Sequence, residues 1–190
     1  MLLAKLLAAI GCLLTSHAWT TTSLGDIMGG RQHWSLDRFP NPLDRIVLTA
    51  NGNLQRLLAS YAQAPVTVEV LSNRRTNETA WERLVHLQVR NETWCVATST
   101  VVVHDEHWRE WVDSGTAGLG QLFRYANVLP EFELLAAGRL DNGSLWRNYT
   151  LACPQMVCEI NEVFIPNVWS MGDVSVSTTS LENETVTQKA

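Results

Sequence analysis

The sequence predicts an α+β fold, in which an antiparallel sheet of about six strands is flanked by helices and flaps. Three observations lead to this prediction. Helical spacing of apolar residues is confined to two regions, alternating runs of strand length fill most of the remaining chain up to residue 166, and turn signals such as Asn142-Gly143 separate successive runs. Strands joined by such short turns are antiparallel, because a parallel return needs a longer crossover.

Two short helices and three strands are expected in the first half of this domain. Residues 41–65 predict a helix beginning near Pro42, a break at Asn51-Gly52 and a second helix whose apolar stripe is formed by Leu54, Leu57, Leu58 and Tyr61. The alternating runs that follow predict strands at residues 66–73, 83–90 and 94–103.

Two further helices and three strands are expected in the second half. The segment "HDEHWREWVDSG" predicts a helix with Asp105 as its N-cap, because an aspartate side chain accepts from free N–H groups of the first turn. The segment "GTAGLGQLFRY" predicts a second short helix with a glycine-rich entry. The last strands are expected at residues 131–138, 144–152 and 156–166.

The two ends of the chain predict a protein of the secretory pathway. Residues 1–18 have the basic, apolar and small-residue regions of a signal peptide, so we expect a mature protein that begins at Trp19 and is not held in a membrane. Residues 19–40 are aperiodic and predict an extended arm, residues 41–166 form the predicted domain, and residues 167–190 predict a disordered tail. The expected location is the lumen of the secretory pathway or the exterior.

Five N-glycosylation sequons support this location: Asn77, Asn91, Asn142, Asn148 and Asn183. Asn91 lies between two predicted strands and Asn142 at a predicted hairpin tip. Asn148 falls within a predicted strand and Asn183 within the predicted tail. We therefore expect glycans at Asn91 and Asn142 first, and at Asn77 next.

Three cysteines remain after removal of the signal peptide: Cys95, Cys153 and Cys158. An odd count in an oxidising compartment permits one disulfide and one free thiol. Cys153 and Cys158 flank a predicted hairpin turn, so we expect them to be linked while Cys95 stays a buried thiol; a bond from Cys95 to either partner is the alternative. The spacings match no zinc pattern, and no metal site is expected.

The overall charge argues against one class of partner. The chain has a formal net charge of −5 and no basic patch, whereas a protein that binds nucleic acid presents clustered lysine and arginine. We expect no nucleic-acid partner and a monomer.

Two charged residues lie on strand faces that are otherwise apolar. Arg83 shares its face with Val85, Leu87 and Val89, and Glu162 shares its face with Met156, Cys158, Ile160 and Phe164. Burial of a charged side chain costs on the order of several kcal/mol unless an oppositely charged partner offsets this cost. Either the two residues pair with each other, or they face each other across a cavity and hold a polar ligand.

The order of these segments resembles one protein family, the chorismate lyases, also called chorismate pyruvate-lyases. Residues 43–74, "LDRIVLTANGNLQRLLASYAQAPVTVEVLSNR", resemble that family's two helices and first strand. The segment "WERLVHLQVRNETWCVATSTVVV" resembles the hairpin with the carboxylate-binding arginine, which falls on Arg83. The segment "GTAGLGQLFR" resembles the loop whose backbone amide binds the same carboxylate, at Leu119, and "INEVFIP" resembles the strand with the functional glutamate, Glu162.

The resemblance implies a chorismate-lyase-like fold around a buried ligand, and a reaction that needs no metal or organic cofactor. Chorismate loses its enolpyruvyl group as pyruvate and becomes 4-hydroxybenzoate. Arg83 would bind the ring carboxylate together with the backbone N–H groups of Asn53 and Leu119, and Glu162 would meet the oxygen that becomes the phenol. Bacterial members carry additional basic residues on the strand where this chain has Arg147 nearly alone.

Three functions follow from these expectations. The first is a secreted lyase that releases pyruvate from chorismate, with Arg83 and Glu162 as its catalytic residues. The second is a secreted protein that binds a small aromatic carboxylate, such as chorismate or 4-hydroxybenzoate, without turnover, because a fold does not determine a function. The third is a structural or interaction protein in which Arg83 and Glu162 form only a salt bridge.

Overall fold

The computed structural model describes residues 36–172 and contains one six-stranded antiparallel sheet. Along the sheet the strand order is β1-β2-β3-β6-β5-β4, so the first three strands form one meander, the last three form another, and β3 and β6 join them. The prediction of an α+β fold with an antiparallel sheet is confirmed. The strands are β1 Val66–Arg75, β2 Ala80–Val89, β3 Glu92–Val103, β4 Glu131–Arg139, β5 Leu145–Cys153 and β6 Met156–Phe164.

Four α-helices of the described part of the chain flank the sheet, each at a predicted position: α1 Pro42–Leu48, α2 Leu54–Ala62, α3 Glu106–Ser114 and α4 Leu119–Tyr125. Their starts follow from local chemistry. The Asn41 side chain accepts from the N–H of Leu43 at the start of α1, and Asp105 accepts from the N–H of Trp108 at the start of α3, as predicted. The break between α1 and α2 includes Gly52, whose φ of 64° suits glycine.

One face of the sheet forms the core, because the strands alternate between buried and more accessible residues. In β6 every second residue, beginning with Met156, is buried, and its neighbours are exposed or half-buried. The helices add their own buried residues to this core, including Leu58 from α2, Val112 from α3 and Phe123 from α4. Each large apolar side chain buried in this way stabilises the fold by about 1.5–3 kcal/mol.

The ordered domain extends slightly beyond its predicted limits at both ends. A 3₁₀ helix at Leu36–Arg38 precedes the buried Phe39, so the prediction of an extended arm is wrong for residues 36–38. A second 3₁₀ helix at Val168–Gly172 corrects the predicted tail over residues 167–172, where Val168 is buried and the indole of Trp169 donates to Asp44. The predicted signal peptide, the rest of the arm and Asn183 lie outside the described residues.

The predicted disulfide between Cys153 and Cys158 is not formed, and Cys95, Cys153 and Cys158 are free thiols. The turn between β5 and β6 consists of Pro154 and Gln155 alone, so Cys153 pairs directly with Met156 while Cys158 pairs with Leu151. The two cysteines are therefore diagonal neighbours, about 7–8 Å apart, beyond the usual span of a disulfide.

Four of the five sequons lie within the described residues. Asn77, Asn91 and Asn142 are exposed on turns, as expected. Asn148 is half-buried in β5, where its side-chain amide donates to Glu159. The placement of the first three is compatible with glycans at each.

Between residues 36 and 172, no helix has the length and apolar character that crossing a membrane requires. In the same part of the chain, no three histidine, cysteine or acidic side chains converge as ligands for a metal ion.

Candidate functional site

A small cavity lies between the buried face of the sheet and a lid formed by two segments. The lid combines the start of α2, from Gly52 to Gln55, with the start of α4, from Gly118 to Gly120. The cavity has a volume of about 70 Å³. Its walls are mainly apolar, and they include Leu54, Val68, Val85, Leu87, Ala97 and Ile160.

Arg83 from β2 lines one part of this cavity. Its side chain is only 4 % exposed, one of its terminal N–H groups donates to the carbonyl of Ala117 at 2.8 Å, and its Nε has no hydrogen-bond partner within residues 36–172. Burial lowers the pKa of Arg83 from its ordinary value, because the charged guanidinium is poorly solvated there. The cavity thus contains a guanidinium with unused donor capacity.

Glu162 from β6 lines another part of the cavity, and its carboxylate is held by hydrogen bonds from two buried residues of β5. Its Oε2 accepts from the Nε of Arg147 at 2.7 Å, and its Oε1 accepts from the hydroxyl of Tyr149 at 3.0 Å. Desolvation, followed by the negative charge of Glu162, raises the pKa of Tyr149 well above its ordinary value, so the tyrosine stays a donor. Glu162 is therefore fixed in position, and these two bonds leave about half of its acceptor capacity unused.

Arg83 and Glu162 line the same cavity but do not pair with each other, so the salt-bridge alternative is wrong. Strand register explains this. Arg83 pairs across the sheet with Ser99, whereas Glu162 pairs with Ala97 on the same intervening strand. Two strand spacings and two residues along the strand separate their backbones by about 12 Å.

Arg147, rather than Arg83, neutralises Glu162, and sequence reasoning assigned it no such role. Arg147 is fully buried and lies directly opposite Glu162 in the β5–β6 register. One terminal nitrogen donates to the carbonyls of Val47, Leu48 and Ala50 at 2.5, 3.3 and 2.9 Å, where α1 ends. Burial is the largest single effect and acts to lower the pKa of Arg147, but the charge and hydrogen bond of Glu162, together with Tyr149 and Cys95, raise the pKa overall. Arg147 thus joins α1 to the site.

The other two predicted site residues have different positions. Leu119 lines the cavity as the first residue of α4, as expected for a residue of the lid. Asn53 is not among the residues that line it, although both of its neighbours are. The Asn53 side chain instead accepts from Arg124 and so connects the first lid segment to α4 at an exposed position.

The two lid segments meet through a pair of glycines. A Cβ placed on Gly120 would lie 2.6 Å from the carbonyl oxygen of Gly52, which is closer than real Cβ contacts come. The backbones touch only because residue 120 has no side chain. The closed lid therefore depends on Gly120.

We expect Gly120→Ala to lower the free energy of unfolding by about 1–3 kcal/mol, because overpacking forces the lid segments apart. Helix propensity alone predicts the opposite sign, since alanine is favoured over glycine within a helix by about 1 kcal/mol. Urea unfolding measures the difference. Gly118→Ala is the control, because its nearest neighbour is 3.5 Å away; a Gly120→Ala protein as stable as the control would contradict the close contact.

No family model matches this chain, and no curated protein matches it. The likeness to chorismate lyases therefore rests on the sequence segments quoted above.

Proposed function

We propose that this protein binds a small aromatic carboxylate in the cavity between Arg83 and Glu162. One observation carries the proposal: the two charged residues that interrupt apolar strand faces line the same buried cavity without contacting each other. A buried guanidinium with an unused N–H group is a strong site for a carboxylate, since the planar fork of arginine matches that group.

The apolar walls favour a ring between the two charged groups. Leucine, valine and isoleucine side chains line the middle of the cavity, and a planar ring buried against them gains apolar contact. The present volume of about 70 Å³ is about half of the 150 Å³ that holds benzene. Entry of a ring therefore requires the lid segments to move outward.

The resemblance to chorismate lyases extends this proposal to catalysis as a second candidate. In that reaction the C3–O bond of chorismate breaks, the hydrogen on C4 moves to the methylene carbon of the departing enolpyruvyl group, and pyruvate leaves as the ring aromatises. Arg83 would bind the ring carboxylate. Glu162, held by Arg147 and Tyr149, would accept a hydrogen bond from the C4 hydroxyl and so orient the ring.

Incubation with chorismate separates binding from turnover. We expect the purified protein to bind 4-hydroxybenzoate by calorimetry, and the lyase candidate further expects pyruvate above the rate in buffer alone. Glu162→Gln should lower that turnover, because an amide oxygen is a weaker hydrogen-bond acceptor than a carboxylate, whereas Arg74→Met, a change at an exposed salt bridge, should leave it unchanged. Binding without pyruvate would reject the lyase; absence of both would reject the proposed site.

A further inference from the structure

The charges around the cavity leave one positive charge without a partner. Arg83 and Glu162 are the two charged side chains that line it among the described residues, and Tyr149, Gln55 and Ser99 are its neutral polar groups. Arg147 lies behind Glu162 and forms an ion pair with it. Two guanidinium charges against one carboxylate give a site with one net positive charge, located at Arg83.

The opposite end of the cavity is built to accept a hydrogen bond. Glu162 uses one lone pair on each oxygen for Tyr149 and Arg147, and a carboxylate has about four such positions. Arg147 does not line the cavity, and its Nε and Nη1 donate to Glu162 and to α1 carbonyls, although its Nη2 has no hydrogen-bond partner within residues 36–172. A ligand group next to Glu162 therefore has to be a donor, and an anion there would be repelled.

From this arrangement we propose that the cavity selects a monoanionic aromatic acid with a hydrogen-bond donor opposite its carboxylate, and rejects aromatic dianions. The inference rests on the proposed function and narrows its ligand class. It also separates this chain from a chorismate-type substrate, whose second carboxylate would find no cation among the residues that line the described cavity. Placing a second negative charge next to Glu162 costs on the order of several kcal/mol of binding free energy when water is excluded.

Five probes test this selectivity for a monoanion on the unmodified protein. They are 4-hydroxybenzoate, benzoate, terephthalate, methyl 4-hydroxybenzoate and chorismate. We expect 4-hydroxybenzoate to bind most tightly. Benzoate lacks the donor and should bind about 10-fold or more weakly, since a hydrogen bond to a charged group is lost. Terephthalate places a second carboxylate against Glu162 and should bind about 100-fold or more weakly. Chorismate can present its C4 hydroxyl to Glu162, but its second carboxylate, on the group attached to the C3 oxygen, meets no cation among the lining residues, so chorismate should also bind more weakly than 4-hydroxybenzoate. Methyl 4-hydroxybenzoate lacks the carboxylate that Arg83 would bind, so it should also bind more weakly than 4-hydroxybenzoate.

The outcomes distinguish this inference from the proposed function. Equal affinity for 4-hydroxybenzoate and terephthalate, or tight chorismate binding, overturns the inference while the aromatic carboxylate site stands. Failure of all five probes overturns both. Glu162→Gln gives a second measurement where it folds, because Arg147 then loses its carboxylate and the penalty against terephthalate should shrink by about 10-fold or more; an unchanged ratio between the two acids would place the discrimination elsewhere.

Discussion

Replacement of Arg147 with methionine is expected to lower the free energy of unfolding by about 3–5 kcal/mol. The loss has two physical sources. Glu162, which is 5 % exposed, would lose its ion-pair partner while remaining buried, and the carbonyls of Val47 and Ala50 would lose their buried donor. Chemical denaturation, followed by tryptophan fluorescence, measures the change.

Two variants separate the ion pair from other effects of the substitution. Arg74→Met removes a salt bridge of the same kind whose side chains are 65 % and 56 % exposed, and it should change stability by less than about 1 kcal/mol. Combining Arg147→Met with Glu162→Leu removes both buried charges and should recover much of the loss. A single Arg147→Met variant as stable as Arg74→Met would show that the pair contributes nothing.

Replacement of Arg83 with methionine is expected to have the opposite pattern, with nearly normal stability and a large loss of ligand affinity. Arg83 is buried without a carboxylate partner among the described residues and makes one hydrogen bond, to Ala117, so its removal relieves an uncompensated desolvation. The affinity for 4-hydroxybenzoate should fall by about 2–4 kcal/mol, or about 30- to 1,000-fold.

Calorimetry with Arg83→Lys controls for charge. Lysine keeps the positive charge but loses the planar pair of donors, so its affinity should lie between those of the unmodified protein and Arg83→Met. If Arg83→Met bound 4-hydroxybenzoate as tightly as the unmodified protein, the carboxylate would lie elsewhere. If it instead unfolded, Arg83 would be a structural residue like Arg147.

The sequence predicted the elements well because their signals are local. Alternation marked each strand, and Asn51-Gly52 and Asp105 marked helix boundaries that the structure retains. Alternation also selected Arg83 and Glu162, since a charge on an apolar row is visible without any partner. Both line the cavity.

The partner of Glu162 was missed because it depends on register, which alternation does not supply. Pro154-Gln155 forms a two-residue turn, and once that turn is known, counting back from it places Arg147 opposite Glu162. The same count would have excluded the direct pairing of Cys153 with Cys158. The irregularity between Leu87 and Gln88, which shifts the β2–β3 register, has no comparable sequence signal.

The contacts of Arg147 differ greatly in their separation along the chain, and this has a consequence for folding kinetics. Glu162 is 15 residues away, across a tight hairpin, whereas Val47 is 100 residues away. Closing the shorter loop costs less entropy, so we expect the β5–β6 hairpin to bring the two charges together while water still surrounds them. We expect the carbonyls at the end of α1 to contact Arg147 later and to displace that water. Weakening the α1 contacts should therefore accelerate unfolding more than it slows folding.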